Sequence, residues 1–367
     1  MRVSIIGAGV AGSASAIALR RIGADVTVHE AYPDPAGPVG SFVSLAVNGL
    51  RALESLGCLP AVRAAGFPVE RQRMWSGRGK LLGDVARGRR PEDPWRSVTL
   101  LRADLVGALR DAAADAGARL DIGTRVTLAD VLADERPDLV VAADGIWSAT
   151  RSALDPDAPA PRYAGIVTIS GVSPRPDVAA RDGFNWVFGR DGVFIYLPTP
   201  DGQVWWSAQI ASRHEPEKPT VDGHFRTEPV PAAILDARTA IRSTTVTRTL
   251  RPVRRRHDGR TVLVGDAAHP AGAGQGASMA LEDAVILARS VAAHERVDAA
   301  LGEFDRLRLP RAGKLAKMEA RNRDAKTSGA LTARVREIVM PIVFDRVFEK
   351  ATGWLYATPD LTLPVRA

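Results

Sequence analysis

Six residues near the start of the chain, Gly7-Ala8-Gly9-Val10-Ala11-Gly12, have the types and spacing needed to hold a pyrophosphate. In such a turn the first glycine permits a tight bend and the second lets the backbone approach a phosphate. The third lets the following helix pack closely on the preceding strand. A helix starting there offers unpaired N–H groups and the positive end of its dipole to an anion. Gly7, Gly9, Ala11 and Gly12 are therefore dinucleotide-binding candidates. Glu30 stands where an acidic side chain at the end of the next strand reaches a ribose diol. The motif alone does not choose between dinucleotides.

Such chemistry requires a strand, a turn, a helix and a second strand, and the flanking residues supply them. Arg2 to Gly7 is an apolar, β-branched run. Ser13 to Arg21 follows with helical spacing and is stopped by Gly23, and Ala24 to Glu30 alternates as a strand. Asn48 is read as the N-cap of a helix through Leu56, closed by Gly57. Leu101 to Ala116 reads as a helix, Arg119 to Thr127 as a strand, and Asp138 to Ala143 as a buried strand ending in Asp144-Gly145. From Arg162 to Ser212 the pattern changes. Strand-like segments at Gly165–Val172, Phe184–Phe188, Gly192–Leu197 and Gln203–Ile210, separated by Gly, Pro and Asp, suggest an inserted antiparallel sheet. Thr261 to Val264 resumes a buried strand, a glycine-rich loop leads to a helix over Ala277–His294, and the stretch from Val297 onward is mostly helical.

The chain has 367 residues, 46% of them hydrophobic, enough to bury a large core as one or two joined domains. A single cysteine, Cys58, excludes a disulfide framework and a thiolate metal site, and no His, Cys, Asp or Glu spacing suggests a metal. No Gly-x-Ser-x-Gly nucleophile elbow occurs. The net charge of +7 is spread among 49 basic and 42 acidic residues, so no nucleic-acid partner is expected. No apolar run is long enough for a membrane span, and a strand opens the chain without a secretory leader, so a cytoplasmic location is expected.

Two later motifs identify the dinucleotide. Asp138-Leu-Val-Val-Ala-Ala-Asp144-Gly145-Ile-Trp-Ser148-Ala-Thr-Arg151 is the first. The second is Leu263-Val-Gly265-Asp266-Ala-Ala-His269-Pro270 through Gly274-Gln275-Gly276-Ala277-Ser278-Met-Ala-Leu-Glu282-Asp283. Together they resemble the two internal fingerprints of the group A flavoprotein monooxygenases, which include para-hydroxybenzoate, salicylate and tetracycline hydroxylases. Leu100-Leu-Arg102-Ala-Asp104-Leu and Asn48-Gly-Leu-Arg-Ala-Leu-Glu-Ser-Leu-Gly57 add two more matches, in the family's order, from Met1 to about Ala320.

The resemblance implies an α/β fold: a Rossmann-like FAD-binding part (1–160 and 251–300), an antiparallel-sheet substrate part (161–250) and a helical C-terminal region (301–367). It implies non-covalent FAD, NADPH or NADH as reductant, and hydroxylation or epoxidation with oxygen of an aromatic or polyketide-like natural product, by a monomer or homodimer. Asp266 is expected to accept a ribityl hydroxyl, Arg102 to contact the phosphate or ribityl region, and Asp144 and Gly145 to place FAD and admit the nicotinamide. Gly265, Gly274, Gly276, Ala277 and Ser278 carry the flavin loop, whose helix N-terminus would face the pyrimidine edge. Ala142 departs from the family's usual glycine. Arg151 is either a nicotinamide-phosphate contact or a structural ion pair, and His269 is expected to pack beneath the loop. Tyr196 is a candidate for orienting a phenolic substrate, with a buried core role as its alternative. The run His269-Pro270-Ala271-Gly272-Ala273-Gly274-Gln275-Gly276 is shorter than the resemblance implies and made of small side chains, which predicts an open pocket suited to a bulky substrate. Two rivals differ in chemistry: a halogenase, which lacks its expected Trp-x-Trp-x-Ile-Pro segment here, and an enzyme using FAD structurally for a redox-neutral step such as cyclisation.

Overall fold

The computed structural model describes all residues except 35–40, 175, 178–181, 271–273, 327–329, 359 and 365–367. The chain opens with β1 (Arg2–Ile6), α1 (Val10–Arg21) and β2 (Asp25–Glu30), the turn between the last two made by Gly23 at φ +83°. It continues through β3 (Phe42–Leu45), α2 (Val47–Ser55), α3 (Leu59–Ala65), β4 (Phe67–Val69), β5 (Arg71–Ser76), β6 (Leu81–Ala86) and β7 (Ser97–Leu101). Next come α4 (Arg102–Asp115), β8 (Arg119–Ile122), α5 (Leu128–Asp134), β9 (Leu139–Ala142) and α6 (Ala149–Leu154). The strands β10 (Arg162–Pro174), β11 (Phe184–Phe188), β12 (Gly192–Pro198) and β13 (Gln203–Ala211) follow, then α7 (Pro229–Asp236) and β14 (Ala240–Thr249). The chain closes with β15 (Thr261–Leu263), a 3-10 turn at Gly265–Ala267, α8 (Gly276–Ala293), α9 (Val297–Lys326) and α10 (Ala330–Tyr356).

Five strands form a parallel sheet in the order β15-β9-β1-β2-β8. Val3, Ile5, Val28, Leu139, Val141 and Val262 are almost fully buried, because helices cover both faces of a parallel sheet. The alanines of α1 let that helix lie close against α8 and α4. The seven-stranded second sheet runs β14-β10-β13-β12-β11-β5-β6 and is antiparallel except for the β11–β5 pair. Along β12 the side chains alternate. Phe194 and Tyr196 pack with Trp206, Phe225, Ile234 and Leu235 on the face covered by α7, whereas Val193, Ile195 and Leu197 face Val69, Phe184 and the half-buried Phe42, Phe67, Trp186 and Trp205. A small sheet, β3-β7-β4, lies at that second face.

This is the anticipated α/β class with an antiparallel sheet and a helical C-terminal region. Three details differ. Asn48 is not a cap: Ala46 precedes the helix, and the Asn48 amide donates to Glu282 Oε1 at 2.8 Å. The strand beginning at Arg119 stops at Ile122. The second sheet also recruits β5, β6 and β14, outside the span 162–212 where the pattern was visible. Among the described residues no helix is long and apolar enough to cross a membrane, and no group of three His, Cys, Asp or Glu could hold a metal.

Candidate cofactor and substrate site

The carboxyl ends of β15, β9, β1 and β2 lie side by side, which gathers Gly265, Asp144, Gly7 and Glu30 along one edge of the sheet. The central strand β1 has β2, the next strand in sequence, on one side and β9, far downstream, on the other, the arrangement that opens a ligand crevice. The three motif glycines serve different needs. Gly7 sits at φ +102°, and a Cβ there would stand 2.5 Å from Ala143 O. A Cβ on Gly12 would stand 1.8 Å from Gly7 O, which only glycine avoids. At Gly9 nothing lies within 4 Å, so this position faces open space where backbone can meet a ligand. Helix α1 has no side-chain cap, leaving its first N–H groups for an anion. Glu30 is buried, and its carboxylate accepts from Ala8 N at 2.8 Å and Tyr32 N at 2.9 Å. Those bonds hold it at the glycine turn and leave lone pairs for a diol.

The second fingerprint forms a brace. Asp144 Oδ2 accepts from Thr150 N at 3.0 Å, Gly145 takes φ +76°, and Ser148 caps α6 by accepting from Arg151 N at 2.8 Å. Buried Arg151 donates to Ile146 O at 2.8 Å and to Ala267 O at 3.0 Å, tying this turn to the one after β15. Burial lowers its pKa, which Asp144 partly offsets. Of the two expected roles, the geometry gives Arg151 the structural one, through carbonyls instead of an ion pair. Gly265 (φ +56°) approaches so closely that its Cβ would stand 2.8 Å from the Ala11 methyl, so Ala11 must be small. Asp266 is exposed within the 3-10 turn, whose N-cap is Val264. Arg102 is the exposed first residue of α4.

The flavin-loop residues Gly274, Gly276, Ala277 and Ser278 lie at the N-terminus of α8, which also has no side-chain cap. Ala271, Gly272 and Ala273, on which the open-pocket expectation rests, lie outside the described residues. Buried Ser278 Oγ, Gln275 Oε1 and Asp144 Oδ1 have no hydrogen-bond partner among the described residues. Buried polar atoms are normally satisfied, and the orphaned Asp144 and Gln275 oxygens, both in the FAD motifs, fit a polar group bound beside them, whereas Ser278 Oγ faces Gly49 of α2, whose Cβ would stand 2.5 Å from it.

Behind the loop sits an ion cluster to which the motif reading gave no role. Arg308 from α9 donates to Asp283 Oδ1 and Glu282 Oε2, both at 2.6 Å, and Arg311 donates to Glu282 at 2.7 Å. Asp283 Oδ2 accepts from Gly265 N at 2.9 Å and lies 2.6 Å from His269 Nε2. Burial by itself would raise the Asp283 carboxyl, but His269 and Arg308 hold it well below the usual carboxylate range. Glu282 is held low against the same desolvation by Arg308 and Arg311. His269 thus locks the loop from below, as expected of a residue packing there.

Tyr196 is fully buried in the cluster beneath α7, on the face of β12 turned away from β3 and β4. That burial, with the alternation along the strand, fits the alternative role of a core tyrosine. What sequence reasoning missed lies on the opposite face. Phe42 is 5.9 Å from Phe184 and 6.0 Å from Trp205, and Trp205 is 5.5 Å from Phe67 between ring centroids. Phe184 in turn lies 6.4 Å from Trp186. The Arg87 guanidinium stacks on Phe184 at 3.9 Å, and its Nη2 would be 3.7 Å from a Cβ on Gly274, so this aromatic row adjoins the flavin loop. These residues come from four separate strands and the loop after β6, with no spacing that announces them.

Known proteins match this arrangement. Residues 1–319 match the family described as FAD binding domain. The chain is 30% identical to aurachin C monooxygenase/isomerase of Stigmatella aurantiaca, with 98% of this chain and 99% of that protein covered. It is 33% identical to 3-amino-4-hydroxybenzoate 2-monooxygenase of Streptomyces cremeus, over 85% of this chain and 84% of that one. In fold it is similar to Klebsiella pneumoniae HpxO, solved with FAD and uric acid: TM-score 0.81, 22% identity, covering 98% and 97% of the two chains. With the glycine turn, the brace and the flavin loop converging on one crevice, the chain belongs to the FAD-binding-domain family of group A flavoprotein monooxygenases.

Proposed function

We propose that this monooxygenase hydroxylates or epoxidises a planar aromatic or polyketide-like small molecule, using NADPH or NADH and oxygen, as a cytoplasmic monomer or homodimer. The observation that carries the substrate class is the aromatic row Phe67, Trp205, Phe42, Phe184 and Trp186, half-buried except for the buried Phe184 and adjoining the flavin loop. Rings prefer to stack offset or edge-on, so such a wall favours a flat unsaturated guest. The names of the Stigmatella and Streptomyces relatives support the same class.

When bound, FAD supplies the redox chemistry, taking two electrons from the nicotinamide and activating oxygen so that one atom enters the substrate and the other leaves as water. The chain's residues do the rest. Glu30 accepts the adenosine ribose hydroxyls, the backbone at Gly7, Gly9, Ala11 and Gly12 holds the pyrophosphate, Arg102 adds a cation, and Asp266 accepts a ribityl hydroxyl. Gly145 and Asp144 shape the middle of the crevice beside Gly265. The N–H groups from Gly274 through Gly276, Ala277 and Ser278 stabilise negative charge at the ring's pyrimidine edge. The aromatic wall orients the substrate and excludes water. In this scheme residues 1–160 and 251–300 carry FAD, the segments of 1–160 that bear Phe42, Phe67 and Arg87 join 161–250 on the substrate side, and 301–367 brace the loop.

The test is stoichiometry. Purified enzyme should release FAD on acid treatment and oxidise NADPH or NADH faster with a productive aromatic substrate. With isotopic oxygen gas, one labelled atom should appear in the product. Bound FAD with neither product nor peroxide would support a redox-neutral enzyme instead. That second reading draws on the word isomerase in the Stigmatella relative's name.

A further inference from the structure

We propose that Arg87 is the anion-binding residue of the substrate pocket, and that the substrate is an aromatic compound carrying an anionic oxygen, a carboxylate or an ionised ring hydroxyl. Three observations lead there. First, Arg87 has no carboxylate partner among the described residues. Its Nε donates to Ser44 Oγ at 3.4 Å, Nη1 donates to Gln72 Oε1, and the guanidinium plane lies on the Phe184 ring at 3.9 Å. Two neutral oxygens and a ring face solvate the group without neutralising it. Second, the nearby acids are taken. Asp84, on the same strand pair, binds Arg71 at 2.8 Å and Arg73 at 3.0 Å, and Asp93 binds Arg51 at 2.5 Å. The remaining ionisable neighbour is the Tyr356 phenol, itself pushed up by burial and so neutral at physiological pH.

Third, the charge is half-buried. Burial pulls the Arg87 pKa down to about 10, with Tyr356 partly opposing. The group remains a cation at neutral pH, in surroundings that penalise one. A charge partly withdrawn from water is stabilised by pairing, and a guanidinium offers five donors in a fork that matches a carboxylate. The Nη2 side of that fork points toward Gly274, from which a Cβ would stand 3.7 Å away. An anion seated there would be held between the aromatic row and the flavin loop, with its ring against Phe184 or Phe42. The site accounts for why Ser44 and Gln72, both nearly fully buried, carry polar groups in that wall: they fix the fork's orientation.

The inference rests on reading 274–278 as the flavin loop, and the experiment separates the two. FAD-loaded wild type, Arg87→Gln and Arg87→Lys are titrated with benzoate and 1-naphthoate and with benzamide and 1-naphthamide, following perturbation of the flavin absorption band. FAD affinity is measured separately by reconstitution. Wild type should bind each carboxylate about tenfold or more tightly than its amide, the effect of one charge-assisted fork. Arg87→Gln should bring that ratio to about one while leaving FAD and amide binding unchanged. Arg87→Lys should retain part of the preference, since the charge remains without the fork. A wild-type ratio near one, silence with all four probes, or a preference that survives Arg87→Gln overturns the proposal. So does FAD loss from Arg87→Gln, which would assign the cation to the cofactor. Wild type without FAD would instead overturn the flavoenzyme reading itself.

Discussion

The two sheets of this protein hold ligand-facing residues in different ways. On the parallel sheet the residues at the crevice belong to short continuous motifs, because each strand end, turn and helix start is one local unit. Gly7, Gly9 and Gly12 fall within six residues, and the Gly12 requirement comes from the Gly7 carbonyl. On the antiparallel side the wall is assembled across the sheets: Phe42 from β3, Phe67 from β4, Phe184 and Trp186 from β11, Trp205 from β13. A cofactor common to many enzymes is held by backbone geometry, which tolerates few residue types. A particular substrate is held by side chains whose only shared constraint is where the fold places them.

The sharpest way to break this contrast is within the glycine turn. Gly12→Ala forces a methyl to within 1.8 Å of a backbone oxygen and should abolish folding, a loss of more than about 4 kcal/mol. Gly9→Ala meets nothing within 4 Å, so the protein should melt near the wild-type temperature yet be poor in FAD. Melting curves and the flavin-to-protein absorbance ratio decide between them. If both variants fold equally well, the distinction between packing and ligand glycines is wrong.

Next in size is the ion cluster behind the loop. Arg308→Met removes the cation shared by two buried carboxylates, leaving Glu282 to Arg311 and Asp283 to His269 and Gly265 N, and should cost about 3–5 kcal/mol of stability in denaturant titration. Asp283→Asn should be milder, but should loosen the Gly265 and His269 contacts and speed FAD dissociation. The pH dependence has a defined sign. Both acids have lowered pKa values in the fold, so their stabilisation is complete above the unfolded carboxyl pKa and is lost as pH falls through the folded values. The stability gap between wild type and Asp283→Asn should be flat above about pH 5 and close only in stronger acid. A gap that widens on acidification contradicts the cluster.

Glu30→Gln should weaken FAD by about 1.5–3 kcal/mol, the loss of one charge-assisted hydrogen bond, without changing substrate preference. On the other sheet the reverse is expected. Trp205→Ala should raise KM and the fraction of NADPH diverted to peroxide, leaving FAD affinity untouched. Tyr196→Phe, the smallest change, should alter turnover by less than about twofold, because that side chain is fully buried among Trp206, Phe225 and residues of α7.

The same contrast explains what could be read from sequence. The βαβ unit, the buried strand before Asp144, the α8 helix and four antiparallel strands were legible because burial on one or both faces leaves a period or a run. Strands β5, β6 and β14 were not: β14 is largely half-buried or exposed, and β5 and β6 join their sheet through a parallel pairing distant in sequence. Arg87 looked like one basic residue in the run Arg87-Gly88-Arg89-Arg90, and nothing local tells it from its neighbours. Arg89 turns to the Pro91 and Asp93 carbonyls and Arg90 to Gly353 O, whereas Arg87 turns inward. Tyr196 kept two readings open for a related reason. Alternation along β12 was visible, but which face meets the substrate is set by where α7 and β3 pack.

The order of strands also governs how the chain can be made. β1 pairs with β9, more than a hundred residues downstream, and β9 pairs with β15, beyond the whole antiparallel insert. Helix α8, which packs on α1, follows later still. A ribosome extends the chain at about 5–20 residues per second, so the first strand waits many seconds for its outer neighbours. During that interval β9 presents an unpaired edge, and α1 lacks the surface that will cover it. Such long-range closure slows folding and exposes sticky intermediates. Recombinant yield should therefore improve at low temperature and with chaperones, and N-terminal fragments ending before β15 should aggregate.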